Sequence, residues 1–335
     1  ITGSGRVSMA DNGTQLFIMI PGGDGFIFTE SPDTLTQITG LDFTANGQPQ
    51  YVVFVDGYFV LTTDSKKVIQ SNLNDGLNYT ATDFFTAESN PDDTVAPIVF
   101  KNQLFIAGSV TTEAFQNIGG AGATFQRSGL FLSKGISSPL SVVVTNDTFA
   151  WIGSGVNEGP AIWSFVGNST QKISTTAIDN LLQDLTEEEL TEVAGWSYSE
   201  NGAYFIGFAL PSTTIVLDVI TNKWHERKSL VQSAPQVNEL IRYRVQTIVK
   251  AYNKILVGDS FDGRIGHMSL DYFDEYGQEI IRRIATQPFQ NNMQDFAIPM
   301  LEMTAETGKT DGTVEEPLIR LEISTNGGDT FMPAR

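Results

Sequence analysis

Few residues of this sequence have types and spacing that could support catalysis. The 335 residues include no cysteine and two histidines, His225 and His267. Without cysteine the chain has no disulfide, thiolate metal site or cysteine nucleophile. A hydrolytic metal centre or a Ser-His-Asp triad would need one of the two histidines, and no G-x-S-x-G turn is present. We interpret both histidines as structural residues at strand ends.

Carboxylates are abundant, and one group of them is closely spaced. The sequence after Thr186 reads EEEL, followed by Thr191 and Glu192. Such a group could suggest a metal site, but acidic side chains also stabilise the first turn of a helix through its macrodipole. We interpret Glu187, Glu188, Glu189 and Glu192 as a solvated helix start. With 39 acidic residues, the two carboxylates that a glycosidase needs would occur by chance.

Four arginines form two close pairs that could be read as a carboxylate-binding group. They are Arg242, Arg244, Arg282 and Arg283. A sialidase-like enzyme needs three arginines that converge on the substrate carboxylate. The strand alternation that we expect in these segments does not direct all of them to one point.

Two glycine-rich stretches resemble nucleotide-binding loops in composition alone. They are Gly153-Ser154-Gly155 and Gly119-Gly120-Ala121-Gly122. Neither has the lysine and the helix start of a phosphate-binding loop, so we interpret them as tight turns and an exposed loop. The sequence therefore predicts no catalytic, cofactor-binding or metal-binding residue, and we expect a protein that is not an enzyme.

The charge of the chain restricts its partners. Twenty lysines and arginines stand against 39 acidic residues, which gives a formal net charge of −19. A DNA-binding groove needs clustered basic residues to neutralise phosphates, so the composition argues against one. A long uninterrupted run of apolar residues is absent from the sequence, and we expect no membrane span.

A hairpin signal recurs six times along the chain. The clearest copy is VVFVDGYFVLTT at 52–63, where an Asp-Gly pair separates two β-rich runs. The other copies begin near residues 8, 98, 143, 196 and 247. Their turn pairs are Asn12-Gly13, Asp56-Gly57, Lys101-Asn102, Asn146-Asp147, Asn201-Gly202 and Tyr252-Asn253.

The nearly constant spacing of these turn pairs indicates the fold class. A period of about 40 to 50 residues built from short strands is typical of β-propellers, whose blades are four-stranded sheets around an axis. A β-sandwich or a β-helix would have similar hairpins, but sandwich turns follow one another much more closely and without a longer period. We predict an all-β protein with a six-bladed β-propeller over residues 1–277.

One insertion interrupts the repeat at residues 174–193. Apolar residues there lie close to helical spacing, and Thr186 with Glu189 matches a capping box. We predict one or two short helices that lie over a blade edge.

The regular spacing ends near Gly277, and we predict a separate C-terminal β-strand region over 278–335. Three further strands are expected within 278–290, 293–308 and 317–331. In the last of these, STNGGDTF at 324–331 resembles the Asp-box turn of sialidase-type propellers, with Asn326 and Phe331 in place of its Asp and Trp.

Residues 86–119 carry a resemblance to a known family. Their pattern is Ala87-Glu88, Pro91-Asp92, a strand pair, Gly108, Thr112-Glu113-x-Phe115 and Gly119. It resembles the packaged DNA stabilisation proteins, also called the tail hub or nozzle, of short-tailed bacteriophages (podoviruses). Further matching stretches are GSGRVSMA at 3–10, LSKGISSP at 132–139, DLTEEEL at 184–190 and the segment 257–277. The resemblance spans most of residues 3–277.

The resemblance implies a structural role in the virion tail. Such proteins form a ring, commonly of six copies, below the portal and adaptor, where they extend the DNA channel and help to retain packaged DNA. They dock tail spikes or fibres and a plug or needle, and they are present in the host cytoplasm during assembly. An acidic channel wall would let genomic DNA pass without specific binding. We expect docking contacts on the loops 119–128 and 229–239.

A second interpretation stays open at this point. β-Propellers also bind or cleave carbohydrates, so a carbohydrate-binding or glycoside-hydrolysing propeller is the alternative. A hexameric ring would favour the first interpretation, and a monomer that cleaves polysaccharide would favour the second.

Overall fold

A computed structural model describes residues 6–120, 122–234, 237–289, 297–304 and 319–333. The chain divides into two compact units. The first comprises 1–228 and 242–266, and the second comprises 229–241 and 267–335. The division that we placed after residue 277 stays a prediction.

The chain forms a six-bladed β-propeller, as predicted, and most of its strands belong to the first unit. Each of its first four blades is a sheet of four consecutive antiparallel strands. Blade 1 contains β1 (Ser8–Asp11), β2 (Gln15–Met19), β3 (Gly25–Glu30) and β4 (Asp33–Gln37), and blade 2 contains β5 (Pro49–Val55), β6 (Tyr58–Thr63), β7 (Lys67–Asn72) and β8 (Asp75–Thr86). Blade 3 contains β9 (Thr94–Phe100), β10 (Gln103–Gly108), β11 (Thr112–Asn117) and β12 (Phe125–Leu132), and blade 4 contains β13 (Val143–Val144), β14 (Phe149–Gly153), β15 (Ala161–Val166) and β16 (Ser169–Lys172).

The last two blades do not have four strands: one has more and the other has fewer. Blade 5 has five strands and blade 6 has three in the described part of the chain. Blade 5 contains β17 (Ala194–Glu200), β18 (Ala203–Ala209), β19 (Thr214–Asp218), β20 (Lys223–Ala234) and β21 (Val237–Arg242), and blade 6 contains β22 (Val245–Ala251), β23 (Lys254–Asp259) and β24 (Ile265–Met268).

The turn between the first and second strands has the predicted backbone conformation in four of the six blades. Both central residues have positive φ at 56–57, 101–102, 201–202 and 252–253, which a type I′ turn requires. In blade 1 Gly13 alone has positive φ, and the Asn12 side chain accepts hydrogen bonds from the backbone N–H groups of Thr14 and Gln15. In blade 4 neither Asn146 nor Asp147 has positive φ.

Aromatic and aliphatic side chains fill the spaces between neighbouring blades. Four buried clusters lie between successive blades from the first to the fifth. Between blades 3 and 4, the ring centroid of Phe149 lies 5.2 Å from that of Phe105 and 5.0 Å from that of Phe165. Burial of one phenylalanine side chain stabilises the folded protein by about 1.5–3 kcal/mol. Contacts of this kind therefore hold neighbouring blades together.

The insertion forms two helices, as predicted: α1 (Thr176–Gln183) and α2 (Glu187–Thr191). The capping box at the start of α2 is confirmed, because Thr186 and Glu189 exchange both hydrogen bonds. Ile178 and Leu182 of α1 are buried in the cluster between blades 4 and 5. The helix is therefore part of the inter-blade core, and its position over a blade edge stays a prediction.

The second unit contains little regular structure in its described C-terminal part. Short strand pairs join β25 (Asp274–Glu275) to β26 (Gln278–Glu279) and β27 (Glu322–Ile323) to β28 (Met332–Pro333). We predicted strands over 278–290 and 293–308. This prediction is wrong for residues 280–289 and 297–304, which have no strand geometry. The rest of those two ranges includes positions outside the described residues.

Candidate functional site: the axial cavity and the helical face

The first strand of each blade lies innermost, at the propeller axis. First strands of neighbouring blades contact one another, as in the pairs β1 with β5 and β17 with β22. They enclose a cavity of about 400 Å³ lined by residues of β1, β5 and β9 and of the segment 139–144. Most lining side chains are apolar, with Ser8, Asp11 and Tyr51 among the exceptions.

Three charged residues lie shortly before innermost strands of the propeller. Arg6 lies two residues before β1, Glu192 two residues before β17 and Arg242 three residues before β22, whereas Tyr51 belongs to β5. Burial lowers the pKa of Arg6, and Arg242 lowers it further, whereas Glu192 raises it. Burial also lowers the pKa of Arg242, again opposed by Glu192. Burial raises the pKa of Tyr51, opposed by Arg6.

One face of the propeller carries the inter-blade segments and the turns that follow each second strand. We call it the helical face, because α1 and α2 lie in one of those segments. Acidic residues outnumber basic ones there. The acidic residues are Asp24, Asp42, Asp64, Glu88, Asp92, Asp93, Glu158, Asp179, Asp184, Glu187, Glu188, Glu189, Glu192, Asp259 and Asp262, and the basic residues are Arg6, Lys66, Lys134, Arg242, Arg244 and Arg264.

Ion pairs occupy most of the basic residues of the helical face. Lys66 Nζ lies 2.8 Å from Asp93, and Lys134 pairs with Glu158. Arg244 lies 2.8 Å from Asp259, whose side chain is fully buried, and Arg264 also contacts that carboxylate. The hydrogen bond from Lys134 lowers the pKa of Glu158. The surface field of this face is therefore dominated by unpaired carboxylates.

The motif residues of the segment 86–119 hold blade 3 together. The Asp92 carboxylate accepts hydrogen bonds from the N–H groups of Val110 and Thr111 and from the Thr111 hydroxyl, at 2.9 to 3.1 Å. A Cβ at Gly108 would collide with the same carboxylate. The sequence signal thus marks a structural site that joins an inter-blade segment to a strand turn.

Glu113 of the same motif is a buried carboxylate with two partners. Its Oε1 accepts a hydrogen bond from the Ser89 N–H at 2.7 Å, and its Oε2 lies 2.9 Å from Arg127 Nε. Thr112 donates to the backbone carbonyl of Lys134, and Phe115 is buried between blades 2 and 3. These contacts also serve the fold.

The two histidines lie within strands and not at strand ends. His225 is the third residue of β20, where its Nε2 accepts a hydrogen bond from Arg227 Nε at 3.2 Å. Burial lowers the pKa of His225, and the Arg227 charge lowers it further. His267 is exposed in β24 and contacts the Tyr272 ring edge-on. Neither histidine shares a triad with the other candidates.

The arginines and carboxylates that could have formed an enzyme site have other partners in the structure. Arg244 pairs with carboxylates, while the Arg242 and Arg283 guanidiniums lie 5.7 Å and 4.6 Å from the rings of Phe261 and Phe331. Glu187, Glu188 and Glu189 occupy the exposed first turn of α2. Among the described residues, no three His, Asp or Glu side chains are grouped so that they could hold a metal ion.

The glycine-rich stretches have structural explanations. Gly153 ends β14, and a Cβ there would collide with the carbonyl oxygen of Gly135 in the neighbouring segment. Residues 119–122 fall in the turn between β11 and β12, in which Ala121 lies outside the described residues. Thr124 closes this turn against Gln70 of blade 2 through hydrogen bonds of 2.7 and 3.0 Å.

The two predicted docking loops are partly strands. Residues 125–128 begin β12, so the connection between β11 and β12 is 118–124. The segment 229–239 belongs mainly to β20 and β21, which pair as neighbours in their sheet, and residues 235–236 lie outside the described residues. We did not predict this hairpin from the sequence, because its composition is polar.

The turn at 324–331 has the hydrogen bonds that its motif suggests. Asn326 Oδ1 accepts from the Thr330 N–H at 3.0 Å, and the Ser324 hydroxyl oxygen accepts from the Gly328 N–H at 2.8 Å. Asn326 thus supplies the acceptor that an aspartate provides in an Asp box. The turn connects β27 to β28 and is a structural feature.

Neither helix of the described chain has the length and apolar character needed to cross a bilayer.

Comparison with known proteins identifies one family. The family model described as "Bacteriophage P22 Gp10, beta-propeller" matches residues 1–272 of this chain. None of the curated proteins that were compared with the chain matched it.

Similar solved structures are propellers or propeller-like proteins at low identity. The crystal structure of BamB from Moraxella catarrhalis is 12% identical, with 77% of this chain and 80% of that chain covered and a TM-score of 0.43. The N-terminal domain of Nup159 is 10% identical, with 75% and 72% covered and a TM-score of 0.43. At this level of similarity we base no argument on them.

Proposed function

The chain belongs to the bacteriophage P22 Gp10 β-propeller family, and from this membership we propose that it forms the tail hub or nozzle of a phage virion and helps to retain packaged DNA. The observation that carries the proposal is the family match, which runs through all six blades. In this role the protein binds other proteins and catalyses no reaction.

The fold is suited to a mechanical role. Blades 1 to 5 pack against one another in succession through buried clusters, and the helix α1 adds Ile178 and Leu182 to one of them. Displacing one blade would open apolar surface on both of its neighbours, so the propeller resists local deformation. A rigid unit of this kind can transmit load within a tail and present two faces of turns for docking.

The charge of the protein is consistent with a channel that DNA must leave freely. A net charge of −19 and the acidic helical face repel phosphates. A wall of this kind would avoid the counterion release that holds basic proteins on DNA. We propose that carboxylates of the assembled ring face the DNA channel.

The proposed partners are those of a tail assembly. They are further copies of this chain in a ring, which we expect to number six, the portal and adaptor proteins, a tail spike or fibre, and a plug or needle. The turn 118–124 and the β20–β21 hairpin are the surfaces that we propose for contacts with some of them. Assembly would take place in the host cytoplasm and leave the protein in the virion tail.

Removing the protein from the phage tests this proposal. We expect particles without it to package DNA and then to lose it, measured as the fraction of DNA-filled heads by electron microscopy and as nuclease-sensitive DNA. Supplying the wild-type chain in trans should restore DNA-filled, infectious particles. Normal DNA retention and infectivity in its absence would contradict the proposed role.

A further inference from the structure

The face opposite the helical face carries the turns after the first strand of each blade and after the third strand of blades 1 to 5. We call it the hairpin face, and its turns are 12–14, 31–32, 56–57, 73–74, 101–102, 118–124, 145–148, 167–168, 201–202, 219–222 and 252–253.

The hairpin face carries few charges. In the described part of the chain its turns contain two acidic residues, Asp56 and Asp147, and one basic residue, Lys101. Of the charged residues named above for the helical face, all except Arg6, Arg242 and Asp259 lie in connections between strands, which gives fourteen acidic and four basic residues. The hairpin face is therefore the less charged of the two.

Exposed apolar side chains lie at the turns of four blades on the hairpin face. They are Leu73 in blade 2, Ile118 in blade 3, Val219 and Ile220 in blade 5, and Tyr252 in blade 6. Single exposed apolar residues are normal on a protein surface. The centre of a protein–protein interface, however, is depleted of charged residues and enriched in aromatic ones, and the hairpin face has this composition.

Tyr252 is the most exposed of these side chains, at 91%. Its φ is 51°, which lies in the left-handed region, where a bulky side chain is unfavourable. The same turn position holds Asp56, Lys101 and Asn201 in blades 2, 3 and 5. A ring that is so exposed contributes little to packing within the chain, and a strained residue of this kind points to a function outside it.

The turns of the hairpin face are held in defined conformations. Four of them are tight two-residue turns with positive φ at both central residues. The turns of blades 2 and 3 are also joined, because the Asn102 side-chain amide donates a hydrogen bond to the Asp56 carboxylate. A surface that is already ordered loses little conformational entropy when it binds a partner.

The charge of the chain indicates which partner this face fits. Two copies that each carry −19 repel one another, so a stable contact between copies has to use a surface with few unpaired carboxylates. The helical face does not meet this condition, and the hairpin face does. We propose that the hairpin face is the surface through which one copy of this protein binds a second copy. This inference rests on the proposed ring of copies and names the surface that the ring uses.

Analytical ultracentrifugation of the full-length protein over a range of concentrations tests this surface. We expect reversible association of the wild type, with a dissociation constant that rises about tenfold or more in I220S and in Y252N. Asparagine favours positive φ, so Y252N should fold at least as well as the wild type, which thermal unfolding measures. A wild type that stays monomeric at every concentration would overturn the proposal, and so would unchanged association in both variants.

L41S is the matched control for these variants. Leu41 is 87% exposed and lies in the connection between blades 1 and 2, on the helical face. L41S should associate as the wild type does, because the helical face takes no part in the contact. A loss of association in L41S as large as that in I220S and Y252N would overturn the assignment to the hairpin face.

The salt dependence of association gives a second test. We expect association to tighten between about 0.05 M and about 0.5 M sodium chloride, because salt screens the repulsion between the acidic copies and leaves apolar contacts intact. An interface built on ion pairs between copies would weaken over the same range. Weaker association at the higher salt concentration would therefore contradict the proposal.

Failure of this inference and failure of the proposed function can be told apart. If the wild type associates and neither Y252N nor I220S weakens it, the copies meet through another surface and the role in the tail is unaffected. If phage particles without the protein retain their DNA, the role in the tail fails, whatever surface the copies use.

Discussion

At the scale of single residues, the motif that identified the family consists of structural residues. Asp92 and Glu113 accept backbone hydrogen bonds from Val110, Thr111 and Ser89, and Gly108 leaves room for the Asp92 carboxylate. The sequence marked these positions but not their partners, because residues 18 to 24 positions apart meet only through the fold.

Loss of the Asp92 carboxylate should destabilise the propeller. In D92A three donors lose their acceptor, and we expect the free energy of unfolding to fall by about 1–3 kcal/mol. D93A is the matched control, because Asp93 makes an exposed ion pair with Lys66 and its loss should cost less than about 1 kcal/mol. Urea unfolding measures both variants. Equal stability losses in the two would refute the assigned role of Asp92.

Histidine 225 should make stability depend on pH. Burial and Arg227 depress its pKa in the folded protein, so the unfolded chain takes up the proton first as the pH falls. The stabilisation is complete above the ordinary histidine pKa of about 6.5 and is lost as the pH falls from there through the lower folded value.

The H225Q variant isolates this effect. Its free energy of unfolding should fall less than that of the wild type between about pH 7.5 and about pH 5.5. H267Q removes the histidine that lacks the Arg227 contact, and this variant should follow the wild type. If H225Q and the wild type lose the same stability over this interval, the lowered pKa of His225 is not the cause.

At the scale of elements, local signals were sufficient where local chemistry decides the structure. Asp56-Gly57 and Asn201-Gly202 favour positive φ by themselves, and the Thr186–Glu189 capping box fixes a helix start. The prediction failed where apolar residues are not buried in a sheet. Ile284 is 96% exposed and Met300 is 79% exposed. The β-like sequence pattern around them therefore does not indicate strands.

The helix α1 should contribute to stability through one face alone. Leu182 is fully buried in the cluster between blades 4 and 5, whereas its neighbour Leu181 is 44% exposed. L182A should cost about 2–5 kcal/mol, and L181A should change stability by less than about 0.5 kcal/mol. Thermal and urea unfolding of both variants would test whether α1 is part of the core.

Close backbone packing at the end of β14 requires a glycine. In G153A the new methyl group would meet the Gly135 carbonyl and the Ile136 backbone, so we expect a loss of about 1–3 kcal/mol. Gly40 has negative φ and no atom within 4 Å of its ideal Cβ position. G40A should therefore leave stability within about 0.5 kcal/mol of the wild type, and a fully stable G153A would contradict this packing.

At the scale of the whole molecule, the sequence predicted the architecture through its period. Six hairpins that recur at nearly constant intervals predicted the number of blades, and the structure has six. The sequence could not predict how blades 1, 2, 5 and 6 meet at the axis. A periodic pattern carries no information about which side chains of different blades meet there.

The central claim is that this propeller is a structural component of a phage tail. A cryo-electron microscopy map of the tail of intact particles tests it most directly. We predict a ring of six-bladed densities, below the portal, into which the first unit, 1–228 with 242–266, fits. A complete tail map without that density, from particles that retain their DNA, would contradict the account.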